Sequence, residues 1–198
     1  MNNYILEEIK TFIENNIHTF HERRLSKLSS LRLEDVIKRK NPYLFRAKAQ
    51  NTAHKLVEAI LSAYLSSQEE GIFGDFLENL AVFVCQKVYG GRKSVAEGID
   101  LEFEKDGIHY LVSIKSGPNW GNSRQIAKMR EDFRRARKIK SSGIISPNIV
   151  AINGCCYGKE GKPDKGDYYK LCGQEFWEFI SGDPEFYIKI IEPLGHKA

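Results

Sequence analysis

The sequence predicts an α/β fold, with a helical N-terminal extension followed by a core of mixed sheet and helices. Three observations support this prediction. Apolar residues recur at helical spacing through most of residues 4–89. The pattern changes to period two at Ile99, and the pair Asp106-Gly107 that follows is a strong hairpin signal. Helical spacing returns over residues 122–140, ahead of a short apolar strand at 147–152.

The N-terminal part is predicted to consist of helices joined by short turns. Acids and amides lie between the apolar positions, as on the solvent face of an amphipathic helix. Asn41-Pro42 should interrupt the helical pattern, and Gly90-Gly91 should end it. We therefore separate an extension, residues 1–70, from a core, residues 71–198. The expected helices are residues 4–20, 33–39, 47–66 and 71–89, with a turn at 66–71.

The core is predicted to contain a hairpin, a basic helix and further short elements. Its C-terminal part has Gly- and Lys-rich loops and two adjacent cysteines, Cys155 and Cys156, with Cys172 further on. Their spacing is not the CxxC pairing of a strong zinc site, and their role is left open. The expected strands are residues 99–104, 109–115, 147–152 and 186–191, and the expected helices are 122–140 and 174–180.

Composition excludes several classes of protein. The chain has 198 residues, of which 41% are hydrophobic and 28% charged, with a net charge of +4, as expected for a soluble core domain with an extension. No apolar run approaches membrane-spanning length, and the N-terminus lacks the pattern of a signal peptide. We therefore expect a cytoplasmic protein without a membrane partner.

The hairpin brings polar side chains to one face. With Asp106-Gly107 as a two-residue turn, counting outward sets Asp100 opposite Ser113, with Lys115 one pleat further. Successive side chains of a strand point to opposite faces, so one face is polar and the other belongs to the core. The polar face holds Asp100, Glu102, Ser113 and Lys115, and the apolar face holds Leu101, Phe103, Tyr110, Val112 and Ile114.

A carboxylate, a hydroxyl and an ammonium side by side suit phosphodiester hydrolysis. Mg²⁺ prefers oxygen ligands, typically one or two carboxylates with phosphate oxygens and waters. The bound metal stabilises transition-state charge and lowers the pKa of a bound water. Asp100 is the candidate metal ligand, and Lys115 is the candidate group that orients or helps to deprotonate the water. The alternative is an exposed strand face with ordinary cross-strand ion pairs.

The segment after Lys115 favours the chemical interpretation. It is a polar, glycine-rich loop, residues 116–122, that leads into the basic helix. A helix N-terminus offers free N–H groups to phosphate. A local basic patch fits a polyanion-binding face, although a solvated helix face gives the same pattern. The basic residues are Arg124, Lys128, Arg130, Arg134, Arg135, Arg137, Lys138 and Lys140, against the acids Glu131 and Asp132.

These residues resemble the PD-(D/E)XK nuclease superfamily and, within it, the type II restriction endonucleases. The superfamily core is helix, three strands, helix, strand, with an aspartate at the start of one strand and acid-x-lysine on the next. Asp100 in Gly98-Ile99-Asp100 takes the place of the aspartate, and Lys115 in Ser113-Ile114-Lys115 takes the place of the lysine. The resemblance covers roughly residues 71–152, with further similarity at 41–46 and 66–80.

The resemblance implies a restriction-endonuclease-like core and the activity of a type II site-specific deoxyribonuclease in a restriction-modification system. It implies Mg²⁺ as cofactor and double-stranded DNA as substrate. It also implies a homodimer, because a two-fold protein matches a palindromic site, with residues 1–70 as a possible dimer interface. The alternatives are another nuclease of the superfamily, such as a repair or junction-resolving enzyme, and a non-catalytic DNA-binding domain.

The chain departs from the superfamily pattern at Ser113, where Asp or Glu is usual. Some restriction enzymes with that substitution take the missing carboxylate from a helix. We prefer Glu78 as the second metal ligand, because an acid bordering the apolar face of a helix needs a partner or a function. Glu131 on the basic helix and Glu102 on the polar strand face are the other candidates. Without such a ligand, the domain would bind DNA without cutting it.

The loop and the basic helix supply the candidate DNA contacts. The C-terminal segment at residues 154–173, which is rich in Lys, Gly and Tyr, is also expected to reach a DNA groove, and no base contacts are assigned to it. Asn and Gln can read adenine edges, although a loop so close to Lys115 can equally serve phosphate or the geometry of the site. Trp120 has two candidate roles, contacting DNA and bracing the loop. The candidate DNA-binding residues are Ser116, Asn119, Asn122, Gln125, Lys128, Arg134 and Arg135.

Overall fold

The computed structural model describes residues 2–38, 41–48, 52–141 and 148–195. Within these ranges the chain forms one five-stranded mixed sheet with helices packed on both faces, which confirms the predicted α/β class. In chain order the elements are α1 (Asn3–Ser29), α2 (Leu33–Lys38), α3 (Pro42–Ala47), α4 (Ala53–Tyr89), β1 (Arg92–Lys93), β2 (Leu101–Lys105), β3 (Ile108–Lys115), α5 (Ser123–Lys140), β4 (Asn148–Cys155), β5 (Tyr169–Cys172), α6 (Gln174–Ser181), α7 (Phe186–Lys189) and α8 (Ile191–Gly195).

A single helix of 37 residues, α4, crosses the region where a turn was predicted. The predicted turn at 66–71 is wrong, because one isolated glycine costs a helix interior only about 1 kcal/mol. A Cβ added at Gly71 would meet nothing within 4 Å, so no close contact requires a glycine there. α1 packs along α4, and Arg24 pairs with Glu69 between the two helices. These contacts stabilise the polar middle of α4 as a helix.

The N-terminal extension is helical, as predicted, with different boundaries. α1 continues past residue 20 to Ser29, and its buried Ile9, Ile13 and Ile17 join the core beneath the sheet. The helix predicted from residue 47 begins only at Ala53. Because α4 runs through residue 70, it joins the extension to the core, and the division into two domains stays a prediction.

The sheet order is β1-β2-β3-β4-β5. β1, β2 and β3 are antiparallel to one another, whereas β4 is parallel to β3 and β5 is parallel to β4. The hairpin register is the predicted one, with Lys105 paired with Ile108 and Leu101 with Val112. The sequence did not predict β1, which has two residues, or β5, which has four.

The two faces of the sheet pack against different helices. The predicted apolar face of the hairpin, including Phe103 and Val112, lies in the core with α1, α4 and α6. On the opposite face, Leu111 packs against Met129 and Phe133 of α5. The sheet is therefore the middle layer of three. In that layer β3 and β4 end side by side, with Lys115 opposite Cys155.

The predicted strand at 186–191 is wrong, because this segment forms α7 and α8. Phe186 and Ile190 are both buried, and their i, i+4 spacing places them on one side of a helical segment. Phe186 packs against Trp177 of α6, with 5.7 Å between ring centroids. The C-terminal segment thus covers the α4 side of the core instead of adding a strand.

The four cysteines are buried free thiols. Cys85 is a core residue of α4. Cys155 and Cys172 are register partners on β4 and β5. Burial raises the pKa of Cys156 to about 12, so this thiol is protonated at neutral pH. No helix in the described ranges combines the length and the apolar character that crossing a membrane requires.

Candidate active site

The hairpin gathers the three groups that the sequence placed on one face. Asp100 lies directly before β2, and its Oδ2 accepts hydrogen bonds from Ile114 N at 2.6 Å and from Ser113 Oγ at 3.5 Å. The Lys115 Nζ lies 3.9 Å from the same oxygen. Asp100 N donates to Val112 O at 2.9 Å, so pairing continues beyond the last residues of β2. The carboxylate, the hydroxyl and the ammonium are therefore neighbours.

The environment of Asp100 disfavours its ionised form. Burial raises the pKa of Asp100, and the negative charge of Glu78 adds to the rise. The Lys115 ammonium, the hydrogen bond from Ile114 N and the charge of Lys93 oppose the rise without cancelling it. A further cation beside Asp100 would therefore offset the cost of keeping this carboxylate ionised.

Glu78 is a second carboxylate close enough to influence Asp100. It lies on α4 and pairs with Lys93 of β1 at 3.2 Å. Among the residues that the structure describes, no three His, Cys, Asp or Glu side chains are grouped as a metal site. A divalent cation here would therefore depend on Asp100 and Glu78, completed by waters and phosphate oxygens. One or two carboxylates are what Mg²⁺ typically takes from a protein, so the donor set fits.

The other two candidate carboxylates are engaged elsewhere. Glu102 is buried and pairs with Arg92 at 2.7 Å and with Lys140 at 3.0 Å. Burial acts to raise the pKa of Glu102, but the hydrogen bonds from Lys140 and Arg92 outweigh it and hold that pKa below its ordinary value. Glu131 lies on the exposed surface of α5, paired with Arg134 at 2.7 Å.

Two polar residues behind the site fix the loop that follows β3. The Trp120 indole N–H donates to Asn153 Oδ1 at 3.1 Å, and the Asn153 amide donates to Ser113 O at 3.2 Å. Asn153 is buried with 1% exposure. Sequence reasoning missed Asn153, although an amide inside the apolar run of β4 was a signal, because a buried amide needs partners. The hydrogen bond to Asn153 supports the bracing role of Trp120, and a DNA contact by Trp120 stays a prediction.

The start of α5 differs from the prediction of a phosphate-binding helix end with free N–H groups. The Asn122 side chain accepts from Arg124 N and Gln125 N, both at 3.1 Å, and the Gln125 side chain accepts from Asn122 N at 2.9 Å. This is a capping box, which satisfies donors that a phosphate would otherwise use. The side chains of Asn122 and Gln125 are thus occupied in the helix cap. Asn119 is exposed, and Ser116 is half-buried.

Several basic residues of α5 have acidic partners. Lys128 pairs with Glu97 at 3.0 Å and with Asp132 at 3.4 Å, and Arg135 pairs with the same two acids. Asp132 is buried and lies against Gly98, which has φ +77°. The ion pairs therefore hold the segment that leads to Asp100. Lys128 and Arg135 have this structural role whether or not they contact DNA.

We expect Gly98→Ala to displace Asp100 and to reduce both stability and activity. An alanine at positive φ costs on the order of 1–3 kcal/mol, and the added Cβ would also overlap the Asp132 carboxylate. The control is Gly107→Ala, because Gly107 has φ +72° but nothing within 4 Å of an added Cβ. Thermal denaturation and DNA cleavage of both variants measure the difference. Equal losses in the two variants would show that the Asp132 contact is unimportant.

Comparison with known proteins gives one family. The family model described as type II restriction endonuclease EcoO109I matches residues 7–198. This match includes most of the extension, the hairpin, the basic helix and the C-terminal helices. No protein of curated function matches the chain.

Proposed function

Because the chain belongs to the EcoO109I family of type II restriction endonucleases, we propose that it cleaves double-stranded DNA at a specific sequence in a Mg²⁺-dependent reaction. The observation that supports this most is the grouping of Asp100, Ser113 and Lys115 at the hairpin, with Glu78 on the adjacent helix. We further propose that the chain is a PD-(D/E)XK nuclease. In support, the order α4, three strands, α5, β4 is the core order of that superfamily.

Each side chain of the site has a role in the proposed reaction. Asp100 and Glu78 would hold Mg²⁺, which when bound offsets phosphate charge and lowers the pKa of a bound water. Ser113, where the superfamily usually has an acid, lies beside Asp100 and would help to orient its carboxylate together with the stronger hydrogen bond from Ile114 N. The Lys115 ammonium lies beside Asp100. From this position it would orient the attacking water and offset charge on the phosphate.

A homodimer fits this function, because two symmetric sites cut both strands of a palindromic sequence. The extension offers apolar surface for an interface. Tyr43 is 82% exposed and Leu25 is 63% exposed, and both belong to the helices before α4. Sedimentation of the purified protein tests this part of the proposal, with a mass of two chains expected.

Plasmid cleavage tests the activity itself. We expect supercoiled DNA to become linear with Mg²⁺ and to remain intact with EDTA. DNA that is bound but never cut would instead support a non-catalytic binding domain. Selective cutting of branched or damaged DNA would support a repair or junction-resolving nuclease.

We expect Arg134→Ala to weaken DNA binding and to reduce the dependence of affinity on salt. Each lost phosphate contact lowers the slope of log affinity against log salt by about 0.9. Arg134 suits this test because its partner Glu131 is also exposed, so its removal leaves no buried charge. The control is Arg23→Ala, which removes an exposed arginine of α1 that pairs with Asp75 of α4, away from α5. Equal salt slopes for the wild type and both variants would mean that the α5 face is only solvated.

A further inference from the structure

The Lys115 ammonium has a second neighbour besides Asp100. It lies over the Trp120 indole, 5.4 Å from the ring centroid. Its distance of 3.9 Å from Asp100 Oδ2 is too long for a strong hydrogen bond. Lysine has a flexible four-carbon stem, and the Lys115 side chain is 32% exposed. The carboxylate alone therefore leaves the position of the ammonium loosely defined.

Lys115 also has room to move. Together with Ser113, Trp120 and Asp132, it lines a cavity of about 490 Å³ between the hairpin and α5. A lysine that swings into this space leaves Asp100. A flat ring beside the ammonium limits such motion, because a cation is attracted to the face of an indole.

The indole is held by Asn153 of β4, which is in turn bound to β3, the strand that carries Lys115. Trp120 Nε1 donates to Asn153, and Asn153 donates to the carbonyl of Ser113, two residues before Lys115. Asn153 and Ser113 are register partners on β4 and β3. β3 therefore holds both ends of this set of contacts. Its Ser113 carbonyl binds Asn153, Asn153 binds the Trp120 indole, and the indole lies under the ammonium of Lys115, which is also on β3. Because the Asn153 amide is buried and makes two hydrogen bonds, it gives the indole ring a fixed orientation.

We propose that Trp120 is a positioning residue that keeps the Lys115 ammonium beside Asp100, and that Asn153 sets the orientation of the indole. This inference rests on the proposed function, in which Lys115 serves the attacking water. Trp120 acts through Lys115, so its removal should lower the rate of the chemical step and leave DNA binding nearly unchanged.

A double-mutant cycle tests the coupling. Trp120→Leu should lower the single-turnover rate about tenfold, as expected for loss of a partly desolvated cation–π contact. Trp120→Phe keeps a ring face but loses the Nε1 hydrogen bond to Asn153, so its rate should lie between those of Trp120→Leu and the wild type. In a Lys115→Ala background, Trp120→Leu should cause little further loss. The same factor in both backgrounds, or a parallel loss of DNA affinity, would overturn the proposal in favour of a purely structural tryptophan.

A second measurement needs no activity. Protons above an aromatic ring resonate upfield, so the side-chain ε protons of Lys115 in ¹³C-lysine-labelled protein should be shifted upfield. Trp120→Leu should abolish the shift, and Asn153→Ala should reduce it. A Lys115 signal that is the same with and without the indole would overturn the contact. If the wild type cut no DNA but the shift were present, the proposed function would fail while the contact stood.

Discussion

Asp100→Asn should abolish Mg²⁺-dependent cleavage and, in the metal-free protein, raise stability at neutral pH. Loss of groups that merely orient metal ligands costs 10–100-fold in activity, so loss of a ligand should cost at least about 100-fold. DNA binding should remain measurable, because it rests on the basic surface. The asparagine oxygen can still accept from Ile114 N, which preserves the local backbone.

The gain in stability follows from the pKa of Asp100. Burial, the largest cause, raises this pKa, so the folded protein binds the proton more tightly than the unfolded chain does. The stability from this group is complete below the unfolded value of about 3.9, and it is lost as pH rises through the folded pKa. At neutral pH the ionised carboxylate therefore destabilises the fold, and asparagine removes that cost.

Thermal denaturation in EDTA measures the effect. Asp100→Asn should melt at a higher temperature than the wild type at pH 7, and the difference should shrink as pH falls toward the unfolded pKa. The raised pKa of Asp100 also affects cleavage. Protons compete with the metal for this carboxylate at a higher pH than they would for an ordinary aspartate. A lower melting temperature for the variant at pH 7 would mean that the carboxylate is stabilising and contradict this account of the site.

Glu78→Gln should reduce cleavage about 100-fold or more and raise the Mg²⁺ concentration needed for half-maximal rate. The reason is that Glu78, on the helix beside the hairpin, would be the second protein ligand of Mg²⁺. Folding should be little affected, because the partner lost is Lys93, an exposed residue of the two-residue strand β1.

The matched control is Glu131→Gln, which removes a carboxylate from the exposed surface of α5. It should cleave at a rate close to that of the wild type. The reverse result, with Glu131 essential and Glu78 dispensable, would move the second metal ligand to α5. Wild-type activity in both variants would leave Glu102 as the remaining candidate for the second metal ligand.

The hairpin could be predicted because its determinants are local. Asp106-Gly107 sets the turn, the alternation of side chains sets the faces, and together they place Asp100 beside Ser113. The middle of α4 could not be predicted in this way. Its polar residues resemble a turn until α1 supplies partners such as Arg24 for Glu69.

The C-terminal segment and the supporting residues of the site depend on contacts between distant parts of the chain. Phe186 lies in a helix and packs against Trp177 of α6, a contact that the residues around Phe186 do not reveal. Asn153 gains its importance only because β4 lies beside β3 and brings it to Trp120. A sequence count of basic residues likewise does not reveal that Lys128 is paired with acids.

Digestion of a DNA of known sequence, followed by mapping of the ends, tests the central claim most directly. With Mg²⁺, the wild type should give discrete fragments whose ends share one sequence on both strands, and Asp100→Asn should give none. Cleavage at random positions would contradict site specificity, and wild-type cleavage by Asp100→Asn would contradict the assignment of the active site.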